Sequence, residues 1–121
     1  MTDLLLFHCT TGPEEPERAT VPFIAANVAA ASGQRATVVC TLDAVWFGTP
    51  DGAAGVVAPE MPSLSELVDG FLASGGELWL CSACTKPRGI DEGDLRDGAA
   101  IVGAARIVEE IVQGARSITL T

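Results

Sequence analysis

Three short apolar runs, separated by segments with helical periodicity, constrain the fold of this chain most strongly. The runs are residues 3–9, 36–41 and 77–80. Nearly unbroken apolar runs of this length are typical of strands that are buried on both faces, as in a parallel sheet. Strands that alternate with helices predict an α/β fold with a mostly parallel sheet. Residues 116–121 predict a further strand, which alternates enough to lie at an edge.

The first helix is predicted to begin at Thr20, with Pro22 in its first turn, and to end at residues 32–33. The acidic residues 14–17 before it are then expected to form an exposed loop. A second helix is predicted to begin at Ser63, because Ser63 and Glu66 fit a capping box. It ends near residues 75–76, where two glycines follow each other.

A third helix is predicted over residues 99–113, ending at Gly114. Its first half is apolar on all sides, which is more than one sheet face needs. We therefore expect this helix to be buried partly against another subunit, and the protein to form a trimer or a larger assembly.

The composition limits the classes of function. A chain of 121 residues is expected to form one domain, residues 1–121. The net charge of −9 makes nucleic acid an improbable ligand. No run reaches membrane-spanning length, and the early apolar run is too short for a signal peptide. We therefore expect a cytoplasmic protein without membrane partners, in which the four cysteines are free or catalytic thiols.

The chemically most distinctive segment is residues 78–90. An apolar strand leads into Cys81, Cys84 follows after two residues, and Lys86, Arg88 and Gly89 come next. Thiolate is the reactive form of cysteine, and backbone amides or cations beside a thiol favour it. Arg88 is suited to hold an anionic sulfur substrate through paired hydrogen bonds, and Gly89 allows a sharp turn.

Other cysteines and polar residues also fall near the predicted carboxyl ends of strands, where α/β sheets bind ligands. Cys9, Cys40, Asp43 and Cys81 are expected to line one edge of the sheet. Within apolar strands, Cys9 and Cys40 are expected to be small buried side chains. His8 is expected to be a packed or hydrogen-bonded residue of its strand, with a role as a base for a thiol as the alternative. Asp43 is a candidate for orienting a loop.

A Cys-x-x-Cys pair by itself leaves alternatives open. Thioredoxin-like redox sites and half-zinc sites share it, although the tryptophan that usually precedes the first thioredoxin cysteine is absent here. A complete zinc site needs two further ligands, which would come from His8, Cys9, Cys40 or Asp43. No second Cys-x-x-Cys or histidine pair supplies them. We expect no bound metal and no cofactor.

Residues 81–90 resemble the C-x-x-C-x-x-x-R-G-[IL] signature of the DsrE/DsrF-like family, in particular its YchN-like branch. Similarity extends to the turn at residues 11–13, which includes Gly12, to residues 42–45, which include Asp43, and to residues 95–103 and 118–120. The resemblance implies a three-layer α/β/α sandwich around a five-stranded sheet, and assembly into homotrimers or homohexamers.

The resemblance also implies roles for the motif residues. Family members carry sulfur as a persulfide on the cysteine that matches Cys81. Cys84 matches the second cysteine of the YchN-like branch, which relay subunits commonly lack, and this leaves a resolving role open to it. With Cys81 and Cys84 as catalytic candidates, the candidates for substrate binding are Lys86, Arg88, Gly89, Asp43 and Gly12.

Two functions from different classes follow. The first is a cytoplasmic sulfur carrier that exchanges sulfane sulfur with donor and acceptor proteins or with small sulfur species. The alternative is a noncatalytic oligomeric module that holds a small anion or a metal ion, with structural cysteines.

Overall fold

A computed structural model of the protein describes residues 2–120. Its sheet contains five strands in the order β4-β3-β2-β1-β5, and each neighbouring pair is parallel. The strands are β1 (Leu5–Cys9), β2 (Ala36–Cys40), β3 (Glu77–Cys81), β4 (Ala99–Val102) and β5 (Arg116–Ile118). The predicted parallel α/β sheet is therefore confirmed, with the last strand at an edge.

Helices cover both faces of the sheet, which gives the predicted three layers. Helices α1 and α2 pack on one face, and α4 crosses the other. The α-helices are α1 (Pro16–Ala31), α2 (Leu64–Ala73), α3 (Ser82–Thr85) and α4 (Ala104–Val112). Three short 3₁₀ helices lie at residues 42–48, 86–88 and 92–94. Within residues 2–120, no helix is both long and apolar enough to cross a membrane.

The two faces bury unequal cores, because successive side chains of a strand point to opposite faces. The α1/α2 side is the larger, and Phe23 packs edge-to-face against Phe47 and Phe71 at ring separations of 6.1 and 6.5 Å. The α4 side has a small buried cluster consisting of Leu4, Leu6, Val39, Trp79 and Ala115. The alternation of β3 places Leu80 on the α1/α2 side and Cys81 on the α4 side.

The first helix begins earlier than predicted. Pro16 occupies its first turn, and Glu17 lies in that turn rather than in an exposed loop. A carboxylate there faces the positive end of the helix dipole. Thr20 is not a cap, since its hydroxyl donates to the carbonyl oxygen of Pro16 at 2.6 Å from inside the helix. Pro22 lies within α1, where the sequence pattern of an N-terminal proline was misleading.

The second helix begins and ends close to its predicted bounds, but only one of the two bonds of the predicted capping box is present. Ser63 is the N-cap of α2 and accepts a hydrogen bond from the amide of Glu66 at 3.3 Å. After the helix, Gly75 adopts a left-handed φ of 93°. The chain then turns directly into β3, which is one residue longer than predicted and includes Cys81.

The predicted helix over residues 99–113 is wrong in its first third. Residues 99–102 form β4, Gly103 is the N-cap, and the helix begins only at Ala104. As an edge strand, the apolar residues 99–102 pack against the cores on both faces of the sheet. Their all-round hydrophobicity therefore does not require a second subunit. The β-branched pair Ile101 and Val102 favours a strand and outweighs the alanines before it.

Candidate functional site

Cys81 is the last residue of β3 and the N-cap of α3. Its backbone is extended, with φ −65° and ψ 123°, and the next residue begins the helix. The side chain is a half-exposed free thiol. Amides of a first helical turn have no acceptor within the helix, although the Cys81 side chain forms no capping hydrogen bond with them. This position joins a strand carboxyl end to a helix start, as the predicted site requires.

Cys84 lies in the single turn of α3 and is also a half-exposed free thiol. It packs against the core on the α1/α2 side of the sheet, whereas Cys81 belongs to the α4 side. Both sulfurs of the motif are free in the structure, and they are presented by one short helix and the residue that caps it. The thiol pair therefore combines one sulfur at the strand end with one that is anchored in the core.

Arg88 fixes the motif to the 3₁₀ helix at residues 42–48. Its Nε donates to Oδ1 of Asp43 at 2.9 Å, and its Nη1 donates to the carbonyl oxygen of Cys84 at 3.0 Å. The arginine side chain is 25% exposed and the aspartate 50% exposed. Arg88 is thus held by the protein through two nitrogens, and Asp43 accepts from one of them.

Lys86 and Gly89 follow the thiols at the surface. Lys86 is exposed and begins the 3₁₀ helix at residues 86–88. Gly89 ends that helix with a left-handed φ of 68°, which glycine adopts without strain. The next amide, that of Ile90, donates to the carbonyl oxygen of Thr85 at 3.1 Å, and the Ile90 side chain is buried. The sharp turn predicted at Gly89 is present.

Gly12 brings the loop before α1 against the same helix. A Cβ atom at Gly12 would lie 2.6 Å from Cβ and 2.8 Å from the carbonyl oxygen of Asp43, so this approach needs glycine. The Gly12 amide donates to Oε1 of Glu14 at 2.9 Å. Contacts therefore run from Gly12 through Asp43 and Arg88 to Cys84, which brings four of the candidate residues together.

The remaining cysteines are buried, as predicted. Cys9 and Cys40 are register partners at the ends of β1 and β2, and both are fully inaccessible. Burial raises the pKa of Cys9 to about 12 and raises the pKa of Cys40 well above its ordinary value. The Cys9 thiol points at the carbonyl oxygens of Thr11 and Ala19, at 3.5 and 3.7 Å. Both side chains therefore stay protonated and unreactive in the folded protein.

The residues considered as zinc ligands do not converge. His8 lies on the α4 side of β1, opposite to Cys9, and its Nε2 forms a 2.6 Å hydrogen bond with Oγ of Ser117. Partial burial lowers the pKa of this imidazole below its ordinary value. In the part of the chain from residue 2 to residue 120, no three His, Cys, Asp or Glu side chains are grouped closely enough to hold a metal ion.

Sequence reasoning missed two neighbours of Cys81, Val102 and Gly103, because residues 99–102 were predicted to be helix. Val102 is the register partner of Cys81, so Gly103 and the first turn of α4 follow beside the thiol motif. A Cβ atom at Gly103 would lie 3.9 Å from Oγ of Ser82. In the same turn, the guanidinium of Arg106 lies 4.7 Å from the ring centroid of Trp79 and covers it. The signal for this arrangement was the β-branched pair before Gly103.

A sequence model of the DsrE/DsrF-like family matches residues 3–120. The chain belongs to this family. Two solved structures are similar over nearly the full length of both chains, each at 20% identity. The crystal structure of the ychN protein from E. coli has a TM-score of 0.75 and covers 99% of this chain and 100% of that one. MTH1491 from Methanobacterium thermoautotrophicum, a protein of unknown function, has a TM-score of 0.76, with coverage of 98% and 100%.

One relative has a higher sequence identity to this chain than these two structures have. The uncharacterized protein MJ0760 of Methanocaldococcus jannaschii is 30% identical over 102 residues, which cover 84% of this chain. The matched region is 37% of that protein's length, so the chain spans little more than a third of this relative. The comparisons thus give the family and the fold.

Proposed function

We propose that this protein is a cytosolic sulfur carrier that holds sulfane sulfur as a persulfide on Cys81. The observation that carries the proposal is the contrast among its four free cysteines. Cys9 and Cys40 are sealed in the core with raised pKa values, whereas Cys81 and Cys84 are half exposed and Cys81 lies where β3 meets α3. Family membership supports the same assignment, because Cys81 is the first cysteine of the segment that resembles the family's signature.

Sulfur uptake is a nucleophilic exchange that needs no oxidant. The Cys81 thiolate attacks the terminal sulfur of a donor persulfide, R–S–SH, and a new S–S bond forms at Cys81. The bond between the two donor sulfurs breaks, and the donor leaves as a thiol after it takes up a proton. The free amides at the start of α3 and the exposed ammonium of Lys86 stabilise the anionic sulfur in this step.

Release follows one of two balanced routes. In the first, an acceptor thiolate attacks the outer sulfur of the Cys81 persulfide and regenerates the Cys81 thiolate. In the second, the Cys84 thiolate attacks the inner sulfur, a Cys81–Cys84 disulfide forms, and hydrosulfide leaves. The second route needs a dithiol reductant to restore the starting state. Arg88 serves both routes by holding the helical turn that carries Cys84, through its bond to the Cys84 carbonyl.

The assembly that we propose is a homotrimer or a homohexamer. The predicted all-round apolar helix at residues 99–105 does not support this assembly, because residues 99–102 form β4. Helix α4 supplies another argument, since it has no fully buried residue and exposes three large aliphatic side chains. Burial of these side chains between copies would remove their apolar surface from water.

Incubation with polysulfide, followed by peptide mass mapping, tests the carrier function. We expect the wild-type protein to gain the mass of one sulfur atom on the peptide that contains Cys81. The adduct should disappear in Cys81→Ser and persist in Cys84→Ser. Absence of the adduct from the folded protein would contradict the proposal. Stoichiometric metal in the purified protein would instead favour the noncatalytic binding module.

A further inference from the structure

The 3₁₀ helix at residues 42–48 exposes two large apolar side chains beside the thiol motif. Leu42 is 55% exposed and Trp46 is 38% exposed, while Val45 and Phe47 are buried. This helix contacts α3, which Cys81 caps. Side chains three residues apart are aligned in a 3₁₀ helix, so Trp46 lies on the side of Asp43, whose carboxylate binds Arg88 of the motif. Leu42 and Trp46 are therefore exposed on a helix that contacts the turn following Cys81.

Leu42 is unfavourable for folding in two respects. Its φ of 52° lies in the left-handed region, which glycine and asparagine tolerate better than a bulky side chain. Its side chain also leaves most of its apolar surface in water instead of filling the core. Neither packing nor turn geometry accounts for leucine at this position.

The charge around Leu42 and Trp46 indicates what kind of molecule would bind there. Glu14, Glu15 and Glu17 are exposed at the start of α1, and Asp43 and Asp51 lie within and just after the 3₁₀ helix. Arg18 pairs with Glu15 and Arg88 with Asp43, so acidic side chains outnumber the basic ones that pair with them. Glu14 reaches the same spot as Asp43, since a Cβ atom at Gly12 would meet both side chains within 2.8 Å. An acidic surface attracts a cationic protein surface.

We propose that Leu42 and Trp46 form a docking surface for a second protein that presents a cysteine to Cys81. The docking face of this partner is basic around an apolar contact. Tryptophan is enriched among the residues that dominate binding energy, and the acidic surface supplies the surrounding charge. The proposal rests on the carrier function only in naming sulfur as what the two cysteines exchange.

The docking test uses disulfide exchange, so that it does not depend on persulfide formation. The probes are short peptides whose single cysteine is a 2-thiopyridyl mixed disulfide, in the Cys84→Ser background. The Cys81 thiolate attacks the peptide sulfur, a protein–peptide disulfide forms, and 2-thiopyridone leaves and is measured by its absorbance. One peptide combines arginine with leucine, a second combines glutamate with leucine, and a third combines arginine with serine.

We expect the arginine–leucine peptide to react about tenfold faster than the glutamate–leucine peptide at low salt, with the difference falling as salt rises. Leu42→Asn and Trp46→Ser should each remove most of the advantage of the arginine–leucine peptide over the arginine–serine peptide. Rates are divided by the rate with iodoacetamide to remove any change in the thiol itself. Val28→Thr is the matched control, because Val28 is 62% exposed on α1, and it should leave all three rates unchanged.

Leu42→Asn also separates docking from folding. Because asparagine tolerates a left-handed backbone, we expect this variant to unfold at the same temperature as the wild type or higher. Equal rates with the arginine and glutamate peptides would overturn the proposal. So would unchanged peptide rates in Leu42→Asn together with a smaller assembly, which would show that the surface joins copies of this chain. A preference for the basic peptide without persulfide formation would leave docking intact and overturn the carrier function alone.

Discussion

Arg88 donates from Nε to Oδ1 of Asp43 at 2.9 Å across 45 positions of the sequence. The same guanidinium holds the carbonyl oxygen of Cys84 through Nη1 at 3.0 Å. One side chain therefore connects the 3₁₀ helix at residues 42–48 with the turn that carries the second thiol. The thiol motif keeps its position relative to the neighbouring loop through this contact.

The coupling between Arg88 and Asp43 is measurable by a double-mutant cycle. We expect Arg88→Lys and Asp43→Asn to lower the free energy of unfolding singly, with a coupling energy below about 1 kcal/mol because the pair is partly exposed. Lysine cannot reproduce the two directed bonds of the guanidinium. Urea unfolding of the wild type, both single variants and the double variant gives the coupling. Strictly additive effects would show that the contact has no energetic role.

The four thiols should fall into two classes of reactivity. Cys81 and Cys84 are half exposed, and Cys9 and Cys40 are buried with raised pKa values. Iodoacetamide at neutral pH should therefore alkylate the motif cysteines of the folded protein rapidly, and the strand cysteines only after denaturation. Peptide mass mapping over time separates the classes. Rapid labelling of Cys40 in the native protein would contradict the buried core described for the α1/α2 side.

His8 should make the protein less stable in mild acid. Burial lowers its folded pKa below the ordinary 6.5, so protonation favours the unfolded chain. The stability that the neutral His8 side chain contributes is fully present above pH 6.5. It is lost as the pH falls from 6.5 through the lowered folded pKa. His8→Gln removes this titration. The stability of the wild type relative to His8→Gln, measured by urea unfolding, should decrease as pH falls through that window, and a constant difference would refute the prediction.

Helix α4 should mediate the proposed assembly. Val108, Ile111 and Val112 are 61%, 41% and 77% exposed, respectively. We expect light scattering to show a trimer or hexamer for the wild type. Val112→Glu should produce smaller species, because a charge in an apolar contact is costly to bury. Val28→Glu on α1 is the control and should keep the wild-type mass. A wild-type monomer at micromolar concentration would contradict the proposal.

The sheet and the positions of its cysteines could be predicted because short apolar runs carry their own signal. Residues 3–9 and 36–41 contain enough aliphatic side chains for strands buried on both faces, and their carboxyl ends then place Cys9 and Cys40. The motif at residues 78–90 is equally local, since strand, thiols and glycine turn follow one another directly. Ser63 likewise marks its helix through neighbours within one turn.

Other features depend on contacts that a linear pattern does not contain. Ala99 and Ala100 favour a helix by propensity, but pairing with β3 makes residues 99–102 a strand. The bond between Arg88 and Asp43 joins distant positions and leaves no periodic trace. Pro22 fits a helix start in sequence, yet the helix begins six residues before it because Pro16 serves that position better.

Single-turnover transfer from the persulfidated protein measures whether Cys81 carries sulfane sulfur and passes it on. Protein loaded with polysulfide and freed of excess reagent is mixed with a thiol acceptor, and both are followed by mass spectrometry. We expect one sulfur atom to leave the Cys81 peptide as it appears on the acceptor. Cys84→Ser should still transfer to an external thiol, and Cys81→Ser should neither load nor transfer. Sulfur that loads and transfers equally well in Cys81→Ser would show that Cys81 is not the carrier.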